Sequence, residues 1–238
     1  MQTIAKLATA SLLPLCAYMH GASADTIFFT DFDGAPSAAI TPGSALQEGV
    51  QGFAGLGTGS NVFGGSFLRS ATGNTVSLTL DNLPAHSSIN IGFLFAAIDS
   101  LDGTGTFPSG DFFHVTVDGV TIFRESFANA TPSQIQSYVS APGVELARHQ
   151  DLGFGGPGGY YTDSAYNLGL DPAFNYIAHS ASSVTISFLI EGEGIQSLDD
   201  ESWAMDNLRV EVNEVPVPAS AWLFGSSVLG LAAAVRRR

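Results

Sequence analysis

Residues 112–123 read FFHVTV-DG-VTIF. Two apolar, alternating runs, Phe112–Val117 and Val120–Phe123, flank the dipeptide Asp118-Gly119. Such a dipeptide between alternating runs is the strongest short-range signal of a β-hairpin, because a two-residue turn of matching twist needs residues that tolerate positive φ. The same period of two appears upstream in Thr75–Leu80 (TVSLTL), with Val76, Leu78 and Leu80 on one face. It appears downstream in Ser183–Glu191 (SVTISFLIE). Ser88–Ile98 (SINIGFLFAAI) is longer and nearly all apolar, which suits a strand at a sheet centre, and Thr26–Phe32 (TIFFTDF) is rich in strand formers. Ser202–Val212 (SWAMDNLRVEV) is the last strand; its apolar spacing slips between Met205 and Leu208, which predicts a bulge at Asp206-Asn207.

Between these strands the chain is loop-like. Residues 41–66 read as loops and short edge strands, anchored by Phe53, Phe63 and Phe67. A turn of helix is expected in 131–140, and residues 142–163 read as a long insertion around a glycine-rich centre. No long amphipathic helix and no exact repeat is present. The pattern predicts an all-β fold, an antiparallel β-sandwich over residues 25–214.

Charge narrows the function. Residues 25–214 carry all 22 acidic side chains against four arginines and no lysine. Such a surface repels nucleic acid, which is held through basic contacts to phosphate. Aromatic and β-branched residues are too abundant for disorder. The single cysteine, Cys16, lies outside this region, so the region has neither a disulfide nor a thiolate to use.

Oxygen-rich loops make calcium the first candidate ligand, since calcium takes six to eight carboxylate, amide or carbonyl oxygens. Asp31 and Asp33 follow the first strand, Asp99 and Asp111 border a glycine-rich loop that also holds Asp102, and Glu201 and Asp206 lie on the last strand. First and last strands of a sandwich are often neighbours, which would let Asp31 approach Asp206. A sugar surface is the second candidate: Tyr160, Tyr161 and Asp163, with Tyr166 and Asn167 close by, offer rings to stack on sugars and polar groups for hydroxyls. Trp203 is expected in the core. Catalysis has little support. Glu191 and Glu193 share a strand face without any further signal, the motifs of serine and zinc hydrolases and of phosphate loops are missing, and the histidines at 86, 114, 149 and 179 are scattered. No catalytic residue is assigned, and the chain reads as a non-enzyme.

The two ends bear on destination. Residues 1–24 have the form of a secretory signal peptide: Lys6, an apolar stretch from Leu7 to Tyr18, then Ala22-Ser23-Ala24, with cleavage between Ala24 and Asp25. Residues 215–238 read VPVPASAWLFGSSVLGLAAAVRRR. Val215, Pro216, Val217 and Pro218 precede an uncharged run, Ala219–Val235, that would form a helix about 26 Å long. That is short for a bilayer span, and Arg236, Arg237 and Arg238 would hold its end in the cytoplasm. An ordinary C-terminal anchor would explain the apolar run alone.

Tetrad, short helix and basic stop together resemble the PEP-CTERM sorting signal of Gram-negative bacteria, with Trp222-Leu223-Phe224-Gly225 inside it. Val217 departs from the pattern, standing where the motif has glutamate. The resemblance implies processing by an exosortase-type enzyme, transient anchoring in the inner membrane, and delivery to the surface or the extracellular polysaccharide. The region between resembles concanavalin-like jelly-roll domains of secreted proteins and carbohydrate-binding modules, through residues 98–103 (IDSLDG), 110–123, 163–169 (DSAYNLG) and 201–210 (ESWAMDNLRV). That resemblance implies a jelly roll with a structural calcium ion joining the two ends of the domain. A structural or adhesive matrix role and a calcium-dependent, lectin-like role both fit.

Overall fold

The computed structural model describes residues 24–104, 110–129, 131, 133–155, 162–193 and 196–214. Nearly all of the expected leader, the whole 215–238 tail with its sorting motif, and Tyr160 and Tyr161 lie outside the described residues. Among those described, no helix is long and apolar enough to cross a membrane.

The strands in chain order are β1 (Ala24–Thr30), β2 (Ile40–Thr41), β3 (Leu46–Gly49), β4 (Gly57–Thr58) and β5 (Asn61–Val62). There follow β6 (Ser66–Ala71), β7 (Val76–Asp81), β8 (His86–Asp99), β9 (Phe112–Val117) and β10 (Val120–Ser126). The last are β11 (Glu145–Gln150), β12 (Asp163–Asn167), β13 (Ile177–Ala178), β14 (Ser183–Glu191) and β15 (Glu201–Glu214). One sheet runs β11-β12-β8-β15-β6-β3, with β1 also on β15 and β13 on β8. The other runs β10-β9-β14-β7-β2. The pairings within both are antiparallel.

The hairpin forms where the sequence asks for it. Val117 pairs with Val120, and Asp118 and Gly119 both take positive φ, 50° and 79°. The two 14-residue strands, β8 and β15, pair along nearly their whole length and form the centre of the larger sheet. The register breaks between Asp206 and Arg209, with Asn207 at φ 52°. This is the expected bulge. It lets Trp203 and Met205 before it, and Leu208, Val210 and Val212 after it, all face the same core. At the bulge β15 exchanges one neighbour for another: β6 flanks Ser202–Met205 and β1 flanks the residues from Leu208 on.

The main core lies between the two sheets. Ile89, Ile91, Phe93 and Phe95 of β8 meet Phe113, Val115, Ile186 and Phe188 of the smaller sheet, around the fully buried Trp203. A second apolar layer covers part of the other face of the larger sheet. There Phe53, Phe63 and Phe67, with Phe154, sit over the small side chains Ala96, Ala165 and Ala204. Each buried phenylalanine is worth about 3–5 kcal/mol against alanine.

Two expectations need correction. Among the described residues of 131–140 there is no helix, only a single turn in which Gln134 N–H donates to the Thr131 carbonyl at 3.1 Å. Ser126 and Ser137 exchange backbone-to-hydroxyl hydrogen bonds, each 2.8 Å, and Tyr138 buries its ring between Phe123 and Phe127 while its hydroxyl donates to Asp171 at 2.8 Å. Those side-chain bonds hold the segment along the end of β10. The insertion at 142–163 also contains a strand: β11 pairs with β12, although ELARHQ lacks the usual strand formers.

Candidate metal centre

The acidic candidates fall into separate places. Asp31 and Asp33 follow β1, and the pairing of β1 with β15 brings them to Asp206 at the bulge. Here backbone amides take up both oxygens of Asp206 and one each of Asp31 and Asp33. Asp206 Oδ2 accepts from Gly64 N–H at 3.1 Å, and Oδ1 from Asn207 N–H at 2.7 Å. Asp33 Oδ1 accepts from Ser66 N–H at 2.6 Å, and Asp31 Oδ1 from Asp33 N–H at 3.2 Å. Burial, partly offset by the two amides and reinforced by the charges of Asp33 and Asp31, pushes Asp206 up to about 7.

Asp111 and Glu201 meet elsewhere, together with Asp102. Asp102 follows β8, Asp111 immediately precedes β9, and Glu201 opens β15. One carboxylate oxygen from each lies within 4.8 Å of the others; among the described residues this is the acidic group with that spacing. Asp102 N–H donates to Asp111 Oδ2 at 2.6 Å, Gln134 Nε2 to Asp102 Oδ1 at 2.7 Å, and Gln196 Nε2 to Glu201 Oε1 at 2.6 Å. Glu201 is 1% exposed, and its Oε2 is buried without a hydrogen-bond partner. Burial, then the charges of Asp111, Asp102 and Asp200, push Glu201 up to about 9. Burial also pushes Asp111 up to about 6, against the Asp102 amide. Two full charges about 5 Å apart repel by roughly 3 kcal/mol at an effective dielectric near 20, so three ionised carboxylates need a cation or a proton between them.

Asp99 belongs to neither group. It pairs with Glu201 across β8 and β15, and its Oδ2 lies 3.9 Å from Arg69 Nη2. The buried Arg69 also bonds Ser202 Oγ, Glu48 and the Leu198 carbonyl. Asp163, expected in sugar contact, instead points inward. It is buried, accepting from Asp99 N–H at 3.1 Å and Leu152 N–H at 2.8 Å, and burial pushes it up to about 6. An acid that ties two backbone amides together beneath the surface cannot also meet a ligand. Tyr166 is likewise in the core.

Two further constellations escape sequence spacing. His86 and His179 stack with Nε2 and Nδ1 2.7 Å apart, and His179 Nε2 lies 3.1 Å from Asp118 Oδ2. The pairing of β13 with β8 joins these distant rings. The other is a strip on the outer face of the larger sheet, past the bulge. Arg209, Glu211 and Asn213 of β15 lie opposite Gly92, Asn90 and Ser88 of β8. Asn213 Nδ2 donates to Ser88 Oγ and to Asn90 Oδ1, and Arg209 pairs with Glu211 at 3.3 Å. Gly92 lets the Arg209 side chain lie flat, because a Cβ there would come within 2.7 Å of its guanidinium. Two exposed rings border the strip: Phe29, 57% exposed, opposite Arg209, and Tyr176, 75% exposed, whose N–H donates to Asn90.

No family model matches the chain, and no curated protein sequence does. Solved structures do. They include a family GH115 4-O-methyl-α-glucuronidase with specificity for decorated arabinogalactans, at TM-score 0.35 and 10% identity over 88% of this chain and 20% of that one. Another is the CBM22-2 xylan-binding domain of Paenibacillus barcinonensis Xyn10C, at TM-score 0.33 and 12% identity over 78% of this chain and 99% of that one. A third is the CBM22-1–GH10 part of Clostridium thermocellum xylanase 10B, at TM-score 0.28 and 10% identity over 82% of this chain and 28% of that one. The chain thus spans about a fifth of the glucuronidase. These likenesses are too distant to carry a residue, a ligand or an activity across.

Proposed function

We infer that this is an exported surface or matrix protein whose jelly-roll body binds polysaccharide without transforming it. The observation that carries the binding role is the strip over Gly92. It is a flat floor with amide, carboxylate and guanidinium groups, bordered by Phe29 and Tyr176. Sugar rings stack on exposed aromatic faces, and such side-chain groups bond their hydroxyls. The export role rests on the leader and on the VPVP–apolar–RRR tail, read as substrates of a signal peptidase and an exosortase-type enzyme, with a transient inner-membrane stage. The non-enzymatic role is supported by Glu191. Arg124 at 2.6 Å, with His114 nearby, holds its carboxyl below the ordinary range, the opposite of what a proton donor to a glycosidic bond needs.

The test is retention of the full-length chain on the producing cell's own extracellular polysaccharide. The double substitution Phe29→Ala/Tyr176→Ala should weaken retention at least about tenfold, as expected when two stacking rings are removed, with unchanged melting. Equal retention by the variant, or none by the parent, overturns the binding role. Pro216→Ala/Pro218→Ala should leave the tail uncleaved in the membrane fraction; normal release would overturn the sorting role.

A further inference from the structure

The geometry points to a calcium site formed by Asp102, Asp111 and Glu201, separate from the Asp31–Asp33–Asp206 corner and independent of the polysaccharide role. Three observations carry it. The first is spacing. Two oxygens bound to one ion at about 2.4 Å can lie no more than about 4.8 Å apart, and the three carboxylates are within that limit of one another. The second is the unspent oxygen. Glu201 is 1% exposed, yet its Oε2 has no hydrogen-bond partner, in a carboxylate gathered against Asp102 and Asp111. A buried acceptor in that position is costly unless something binds it. The third is the missing cation. No arginine or histidine among the described residues pairs with Asp111 or Glu201. The side chains of Asp111 and Glu201 take neutral donors, the Asp102 amide and Gln196 Nε2.

The ligand chemistry follows from the donors. The group offers oxygen only, without His or Cys nitrogen or sulfur, which selects a hard cation over zinc or copper. Calcium accepts a wide, irregular oxygen set, whereas magnesium needs a tighter octahedron. The two glutamine amides are outer partners that fix carboxylate orientation, as supporting residues do around metal ligands. The placement also gives the ion a task. Asp102 follows the end of β8 and Glu201 opens β15, both of the larger sheet, while Asp111 leads into β9 of the smaller one. An ion held by all three joins the two sheets at one end of the sandwich.

The experiment titrates the full-length chain with calcium by calorimetry, in the absence of polysaccharide, and records melting in calcium and in chelator. Expected for the parent is saturable binding with Kd at or below about 1 mM, the range of extracellular calcium modules, and higher melting in calcium. Glu201→Gln and Asp111→Asn should each weaken binding at least a hundredfold, and Asp206→Asn should leave it within about threefold. Should Glu201→Gln fail to fold, Asp102→Asn, at the more exposed edge, supplies the same test with at least a tenfold loss. No saturable binding by the parent overturns the site. So does calcium binding that survives Glu201→Gln and Asp111→Asn but is lost in Asp206→Asn. Magnesium matching calcium in affinity would overturn the choice of ion. Retention on polysaccharide in chelator is read separately, so the two roles can fail independently.

Discussion

Asp206 and Glu201 are acids of one strand, both buried to within 1% of full exclusion, yet their surroundings treat them differently. At the bulge, both oxygens of Asp206 receive backbone N–H groups, and Asp33 and Asp31 beside it each accept one more. At the start of β15, the Glu201 carboxylate lies against two more, receives one glutamine amide and keeps one oxygen without a hydrogen-bond partner. Residue type and burial therefore do not separate a structural cap from an ion ligand. The separation lies in how much hydrogen-bonding capacity the chain itself consumes.

The contrast breaks most visibly by deletion. Asp206→Ala strips the partner from two amides at the bulge, each costing about 1–3 kcal/mol when left buried and unbonded. Urea unfolding should show a loss of about 2–5 kcal/mol, the same in calcium and in chelator. Glu201→Gln should act the other way. In chelator it keeps the shape of the side chain and an acceptor for Gln196, so stability should hold within about 1 kcal/mol. Only the calcium increment should vanish. If Glu201→Gln in chelator costs as much as Asp206→Ala, Glu201 is a cap like its neighbour and the contrast is lost.

The strands were legible because their signals are local. The Asp118-Gly119 turn, the alternation in β7 and β14, and the slipped spacing at Asp206-Asn207 each read correctly from adjacent residues. The inward anchors Phe53, Phe63 and Phe67 were legible too, since large apolar residues in a polar stretch must find cover. What failed was non-local. β11 is a strand only because β12 offers it an edge. Asp163 reads from the sequence as a sugar contact beside two tyrosines, but β12 pairs with β8 and draws it beneath Leu152 and Asp99. The acidic groups could be named from the sequence but not sorted. Asp102 and Asp111 are near in sequence, whereas Glu201 reaches them only through the pairing of β8 with β15. The strip over Gly92 was invisible, because Phe29, Asn90, Tyr176 and Arg209 come from four parts of the chain.

A pH series sharpens the comparison by a smaller amount. Asp206 is pushed from 3.8 up to about 7, chiefly by burial. Its folded pKa lies above its unfolded one, so the folded state holds the proton more tightly. The associated stability is complete below about pH 3.8 and is lost as pH rises through 7. Across that window one extra bound proton gives a slope of about −1.4 kcal/mol per pH unit. Other buried acids, Asp111 and Asp163 among them, add their own slopes below pH 6, so the informative quantity is the difference between parent and Asp206→Asn. Denaturant unfolding between pH 4.5 and 7.5 should find the variant flatter by up to that slope. Parallel curves would mean that Asp206 stays ionised in the folded chain, its two amides outweighing burial.

The smallest effect tests the outer strip against both acidic corners. Gly92 has an ordinary backbone conformation, and a Cβ there meets mainly the Nε, Cζ and Cγ of Arg209, the movable part of a flexible side chain. Gly92→Ala should therefore change stability by less than about 1 kcal/mol, and should leave calcium binding alone. It should lift Arg209 off the floor and away from Glu211, and weaken polysaccharide retention several-fold. Loss of retention with intact melting and intact calcium binding would make the strip a surface built for a ligand. Unchanged retention would mean that Gly92 serves only the packing of Arg209 and the close approach of Gly169, whose own Cβ would come within 2.9 Å of the Gly92 Cα.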